Sequence, residues 1–296
     1  MKDQKKAYVY GLTTVLMWST VASAFKLSLA SLSVIQLLFY ASLSSTLVLA
    51  LVLAAQGKLG LVLRFTPRQY AVSLGLGLVN PFLYYIILFS AYDLLPAQEA
   101  QPINYTWAIA LSLLAIPFLK QKISFLDMCA VCTGYLGVAV IATHGDLLGL
   151  RFSSPLGVGL ALLSTLVWAM YWIVSARDDR DPVAGLFMNF AFSLPASGLA
   201  CAFGGGFAAP WTGLLGAAYV GAFEMGLAFA CWLTALKYAE NTARIANLIF
   251  ISPFLSLYLI HVFVGESIHP STYVGLALIL AGLALQRAGK KPAPGA

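Results

Sequence analysis

Charge is what this sequence has least of. Only 9% of its 296 residues are Asp, Glu, Lys or Arg, against about 25% in soluble globular domains, so that class is excluded. Cysteine is scarce too: Cys129, Cys132, Cys201 and Cys231 all lie in apolar surroundings, which argues against a disulfide framework. The Cys129-x-x-Cys132 spacing invites a redox or metal reading. No second Cys or His cluster completes such a site, so packing in a membrane helix is the better account, and neither metal nor cofactor is expected. There is no H-E-x-x-H and no credible catalytic pair of aspartates in the apolar segments. Thr143-His144-Gly145-Asp146 matches a protease G-x-G-D only superficially, because the first Gly is missing. Enzymatic activity is therefore not expected, and no charged or carbonyl-rich stretch suggests a channel filter. The net charge of +6 does not signal nucleic acid, since the basic residues sit in short loops between apolar runs.

What remains is apolar. Hydrophobic residues make up 60% of the chain. A hydrocarbon core about 30 Å thick needs about 20 helical residues, and runs of that kind recur ten times, near 7–25, 34–55, 68–90, 97–117, 124–143, 154–175, 183–203, 212–234, 243–263 and 270–287. Membrane β-strands show short alternating segments instead, so an all-α polytopic membrane protein of ten transmembrane helices is expected. The first run, with Lys2, Lys5 and Lys6 ahead of it and Ala22-Ser23-Ala24 near its end, resembles a signal peptide, but the internal repeat requires it as a helix. The longest loops, near 56–67 and 144–153, are too short for a separate domain. With the N-terminus in the cytoplasm, Lys2, Lys5, Lys6, Lys58, Arg64, Arg68, Lys120, Lys122, Arg177, Arg180, Lys237, Arg244, Arg287, Lys290 and Lys291 lie inside, and only Lys26 and Arg151 outside. This bias of 15 against 2 places both termini in the cytoplasm of an inner (plasma) membrane protein.

The chain repeats itself weakly. Leu16-Met17-Trp18-Ser19 matches Leu166-Val167-Trp168-Ala169 at an offset of 150, Gly137 matches Gly282 at 145, and at the same offset Gln121-Lys122-Ile123 falls on Glu266-Ser267-Ile268. We therefore divide the chain into five-helix repeats at 1–150 and 151–290, with 291–296 a disordered tail. Five is odd, so the second repeat starts on the opposite side of the membrane. Such an inverted 5+5 repeat supports alternating access around a midplane site. Interruptions recur in corresponding helices: Pro81 in the third with Gly226 in the eighth, and Pro102 in the fourth with Pro253 in the ninth. Proline frees a backbone carbonyl and kinks the helix, which points to a binding site; general tolerance of Pro and Gly in membrane helices is the competing account.

Several side chains are candidates to line that site. Glu224, in the middle of the eighth segment between Phe223 and Met225, is expensive in a bilayer and should face the bundle interior. It serves as a contact for a substrate ammonium, as a proton carrier, or as a structural hydrogen-bonder, and the sequence leaves the three open. The fourth segment opens with the most polar stretch inside any helix, Gln98 to Trp107. There Gln101, Asn104 and Tyr105 share a face by their i, i+3, i+4 spacing, and Glu99 is expected near the outer boundary as a solvated carboxylate. Trp18, Tyr84, Tyr85, Trp107, Trp168, Tyr171 and Trp232 lie within helices, where they serve packing, interfacial belts, or a pocket wall for flat rings and cations. Lys26 is expected to snorkel, and His261 and His269 to be interfacial.

On these residues the chain resembles the drug/metabolite transporter superfamily of EamA-type domains, over nearly its whole length. Within it, Trp18-Ser19-Thr20, Gln98-x-x-x-x-Ile103-Asn104-Tyr105-x-Trp107, Trp168-Ala169-x-Tyr171 and Phe229-Ala230-x-Trp232 are similar to the YddG-type aromatic amino-acid exporters. The resemblance implies a central cavity lined by both halves, efflux of aromatic and other neutral amino acids, and pocket positions at Asn104, Tyr105, Trp107 and Trp168. Two residues depart from that pattern: Ala108 where Pro usually stands, and Glu224 where a small neutral or hydroxyl residue is expected. The expected partners are thus an amino-acid substrate and the lipid bilayer, with protons a further candidate through Glu224. Export of cationic drugs or other small metabolites is the alternative.

Overall fold

The computed structural model describes residues 2–119, 125–149, 151–175, 177–240, 245 and 248–289, and among them every regular element is helical. α1 (Gln4–Leu29) begins behind Asp3, whose carboxylate accepts the Lys6 N–H. α2 (Val34–Ala55) begins at a reciprocal Ser33–Gln36 capping box. α3 (Pro67–Leu94) begins at another, Thr66–Gln69, with Pro67 in the first turn, where its missing N–H costs nothing. α4 comes in two pieces, Ala97–Tyr105 and Trp107–Leu119. α5 (Phe125–Ala142) and α6 (Pro155–Ser175) follow. α7 (Pro182–Phe203) starts at Asp181, which accepts the N–H groups of Val183 and Ala184. After α8 (Trp211–Tyr238), a 3-10 turn at Leu248–Ile251 leads into α9 (Ser252–Val264). Gly265, at φ +79°, ends α9 in the left-handed conformation that glycine adopts freely. α10 is Pro270–Gly289.

Seven of these helices, α1, α2, α3, α5, α6, α7 and α8, are long and apolar enough to cross a membrane. Large apolar side chains point outward, among them Leu51, Leu63, Phe125, Leu148, Phe203 and Trp211, as a lipid-facing surface requires. The expected spans at 34–55 and 183–203 coincide with α2 and α7 to within a residue. The ninth, expected from 243, is described as helical at Ile245 and again from Leu248. Lys120, Lys122, Arg244, Lys290 and Lys291, the Gln121-Lys122-Ile123 match and the 291–296 tail lie outside the described residues.

α10 packs along α5, α2 along α7, α1 along α8, and α3 and α4 against α6. The α5–α10 backbones nearly touch: a Cβ on Gly137 would stand 2.5 Å from the Gly275 carbonyl oxygen, and one on Gly282 2.7 Å from that of Ala130. Among the described residues three helices contain a widened, π-helical turn, at Leu78–Leu83 in α3, Val220–Leu227 in α8 and Ile260–Val264 in α9. In α3, Pro81 has no N–H to give, and Asn80 leaves helical geometry at φ −142°, ψ 116°, ahead of a cis Asn80–Pro81 bond. In α8 there is no proline. There α2 presses into the turn, where a Cβ on Gly221 would lie 2.2 Å from the Ala41 carbonyl oxygen.

Each end of the bundle is tied by polar contacts. At one end Arg180 pairs with Asp178 (2.5 Å), donates to Ser73 Oγ and the Gln69 carbonyl, and lies over the Phe65 ring; Lys58 pairs with Asp181 at 2.6 Å. At the other end the Lys26 ammonium does not simply snorkel. It donates to the carbonyls of Tyr92 (2.6 Å) and Leu95 (2.7 Å) where α3 finishes.

Candidate functional site

The break at Asn80–Pro81 restarts α3 so that Tyr84 and Tyr85 open its second half, and both are buried. Tyr84 stacks on Trp168 of α6 with ring centroids 4.6 Å apart, and Trp168 stacks on Tyr171 at 5.5 Å, one helical turn along. Phe229 of α8 meets the same Trp168 edge-on at 6.0 Å, then Trp18 of α1 at 5.8 Å, and Trp18 tilts against Trp232 at 5.5 Å. Four helices from both parts of the chain thus contribute to one continuous aromatic wall. Offset-stacked and edge-to-face geometries of this kind are individually favourable by about 0.5–1.5 kcal/mol. Trp107 joins through Trp172, stacked at 6.4 Å.

Polar groups stand along this wall. Asn104 Nδ2 donates to Ser164 Oγ at 2.9 Å and, more weakly, to Tyr84 Oη at 3.5 Å. Tyr105 and Ser252 are hydrogen-bonded through their hydroxyls, which joins the two proline-bearing helices α4 and α9 three residues after Pro102 and one before Pro253. Glu224 sits within the widened turn of α8, half-buried, with the Tyr85 hydroxyl donating to it at 3.4 Å. Asn104, Tyr105, Trp107, Trp18, Phe229 and Trp232 are likewise half-buried. The chemistry on offer is a broad π surface, amide and hydroxyl donors, and one carboxyl.

Most of the sequence candidates therefore converge, but two do not. Gln101 is buried, and its carbonyl oxygen has no hydrogen-bond partner among the described residues. Glu99 is not the solvated boundary residue the sequence suggested: it is 0% exposed. His144 Nε2 and Ser153 Oγ, from the loop after α5, fold over it and each lies 2.8 Å from Oε1. Glu99 belongs to this separate cluster, with the His269 ring 5.0 Å from that of His144. The sequence offered no signal for Ser164, Ser252 or Trp172, which look like ordinary helix residues until the helices cross.

The pattern of the EamA-like transporter family matches residues 5–143 and again residues 155–287. The chain belongs to the EamA-like transporter family. It is a polytopic membrane transporter and not an enzyme. An uncharacterized transporter of Clostridium kluyveri is 27% identical to this EamA-like chain over 192 residues, covering 60% of each protein, so the match spans about three fifths of that relative's length. The aromatic amino acid exporter YddG of Ancylobacter novellus is 23% identical over 286 residues, 96% of this chain and 97% of that one. A solved crystal structure superposes with a TM-score of 0.64 over 97% of the EamA-like chain and 100% of its own, at 23% identity, a likeness of fold alone.

Proposed function

We propose that this EamA-like transporter exports amino acids, aromatic and other neutral ones, across the cell inner membrane by alternating access. The observation that carries this reading is the wall of Trp232, Trp18, Phe229, Trp168 and Tyr84 with the Asn104–Ser164 pair at its edge. The stacked rings suit a flat apolar side chain, and the amide and hydroxyls suit the polar end of the same molecule. The near full-length likeness to an aromatic amino acid exporter supports the same cargo.

Alternating access follows from reading 1–150 and 151–290 as inverted five-helix repeats with cytoplasmic termini. That reading is supported by the family pattern occurring twice and by the interrupted turns at Leu78–Leu83 and Val220–Leu227, which hold the pair Pro81 and Gly226. The test is reconstitution in liposomes with labelled Phe, Trp and Thr, with and without a pH gradient. Saturable flux of Phe and Trp above empty vesicles is expected, and no flux of any amino acid would overturn the reading.

One observation favours a second reading, export of organic cations. Glu224 forms no ion pair among the described residues, so it stands ready as a counter-charge. Adding a cation and a neutral amino acid in competition separates the two.

A further inference from the structure

The turn between α3 and α4 faces the loop between α9 and α10 across an open depression of about 520 Å³. That size falls within the roughly 300–1,000 Å³ of small-molecule sites. Lys26, Leu94, Gln98, Glu266, Ser267 and His269 are among the residues that line it. It lies away from the aromatic wall, and none of the residues assigned to that wall lines it.

Two opposite charges border this depression, and the backbone fixes each of them. Lys26 Nζ donates to the Tyr92 and Leu95 carbonyls, at the end of α3. Glu266 accepts the Ala97 N–H at 2.7 Å on one oxygen and the Gln98 N–H at 3.1 Å on the other, at the start of α4. An ammonium has three N–H donors and a carboxylate about four lone-pair directions, so one donor and about two acceptor directions stay free. Although they line the same depression, Lys26 and Glu266 form no ion pair with each other. Gln98 is already engaged, its amide on the Ser267 carbonyl and its oxygen on the His269 N–H and Thr272. Recognition therefore falls to the two charges, and the side chain of Leu94, 41% exposed, offers an apolar contact beside them.

Fixed charges of opposite sign that feel each other across the depression yet stand too far apart to form an ion pair match a small molecule carrying one charge of each sign. We propose that this depression is a second amino-acid site, at the outer end of the transport path, taking the substrate carboxylate on Lys26 and its ammonium on Glu266. It rests on the reading of the cargo as an amino acid. Preorganised charges lower the ordering cost of binding and suit a station that receives substrate after the aromatic wall releases it.

The test is equilibrium binding of labelled phenylalanine to the full chain in nanodiscs of pure phosphatidylcholine. Two sites per chain are expected. Asn104→Ala should remove the central one and leave the outer. Lys26→Gln and Ser267→Trp should each remove the outer and leave the central. Ser267→Trp fills the depression without deleting a charge or a backbone hydrogen bond, so it decides the matter if Lys26→Gln fails to fold. In the Asn104→Ala background, phenylalanine amide and 3-phenyllactate each lack one charge and should bind on the order of tenfold more weakly or worse, the scale of one lost charge-assisted hydrogen bond. A single site, abolished by Asn104→Ala and untouched by Ser267→Trp, would overturn the second site while keeping the cargo. No binding at all would sink both. A second site seen only in phosphatidylethanolamine nanodiscs would assign the depression to a lipid headgroup and overturn the proposal.

Discussion

The Glu224 carboxyl has the Tyr85 hydroxyl 3.4 Å away, and no Lys, Arg or His pairs with it among the described residues. Insertion scales put an unpaired charge at the bilayer centre at about 2.5–3.5 kcal/mol, which makes this side chain a candidate for binding substrate or carrying a proton. Glu224→Gln preserves shape and the contact with Tyr85 while removing the ability to carry a proton. The expected outcome is loss of the pH-gradient-driven component of amino-acid flux, with downhill counterflow retained. Liposome flux with and without the gradient checks it, and unchanged pH dependence rejects the role. Glu224 was legible in the sequence because a lone acid in an apolar run is conspicuous. Asn104 and Tyr105 were legible because helical spacing places neighbours on one face. Ser164 and Ser252 were not, because their partners come from 60 and 147 residues away. Glu99 was misread for a related reason: a carboxylate near a helix end is ordinarily wet, and only the returning loop with His144 and Ser153 covers it.

The interrupted helices show why pattern located the elements better than their shapes. Apolar run length fixes where a helix can span, and Pro81 announces a break in α3. The widened turn in α8 has no proline; Gly226 marks it more weakly, and close approach of another helix accompanies it. A Cβ on Gly221 would meet the Ala41 carbonyl oxygen at 2.2 Å and the Ser45 nitrogen at 2.9 Å, and one on Gly77 would meet the Asn189 carbonyl oxygen at 2.3 Å. These are backbone atoms of packed helices, which cannot swing aside. Gly77→Ala and Gly221→Ala should therefore each destabilise the protein by about 1–3 kcal/mol, the usual penalty of overpacking. Gly75 has open space around it, so Gly75→Ala should be neutral or stabilising by up to about 1 kcal/mol. Thermal unfolding in detergent checks all three. Equal effects at Gly75 and Gly221 would mean that close packing at the turn is not what selects glycine there.

The molecule as a whole is held at both ends, and each end gives a prediction. Where the α6–α7 loop meets α3, burial pushes the Asp178 and Asp181 carboxyls up. Hydrogen bonds and charge from Arg180 at Asp178, and from Lys58 with the Ala184 and Val183 N–H groups at Asp181, outweigh it and hold both below the usual aspartate value. A folded value below the unfolded one means that the contribution is full above about pH 4 and is lost as pH falls through the folded values. Acid unfolding should therefore be steeper below about pH 4 for the wild type than for Asp178→Asn/Asp181→Asn, and identical slopes would remove the clasp from the stability of this end. The same two ends carry the orientation. The proposed orientation, with cytoplasmic termini, has Arg177 in the cytoplasm and the α9–α10 loop with Ser267 outside. Both residues are exposed, so each is open to labelling. With Cys129, Cys132, Cys201 and Cys231 replaced, a membrane-impermeant maleimide added to whole cells should label Ser267→Cys at once and Arg177→Cys only after lysis. The reverse pattern would invert the protein, turning the proposed exit site into an entry site. Labelling of both from outside would mean an even number of crossings between positions 177 and 267. Five-helix halves place an odd number there, so that result would break the inverted repeat on which alternating access rests.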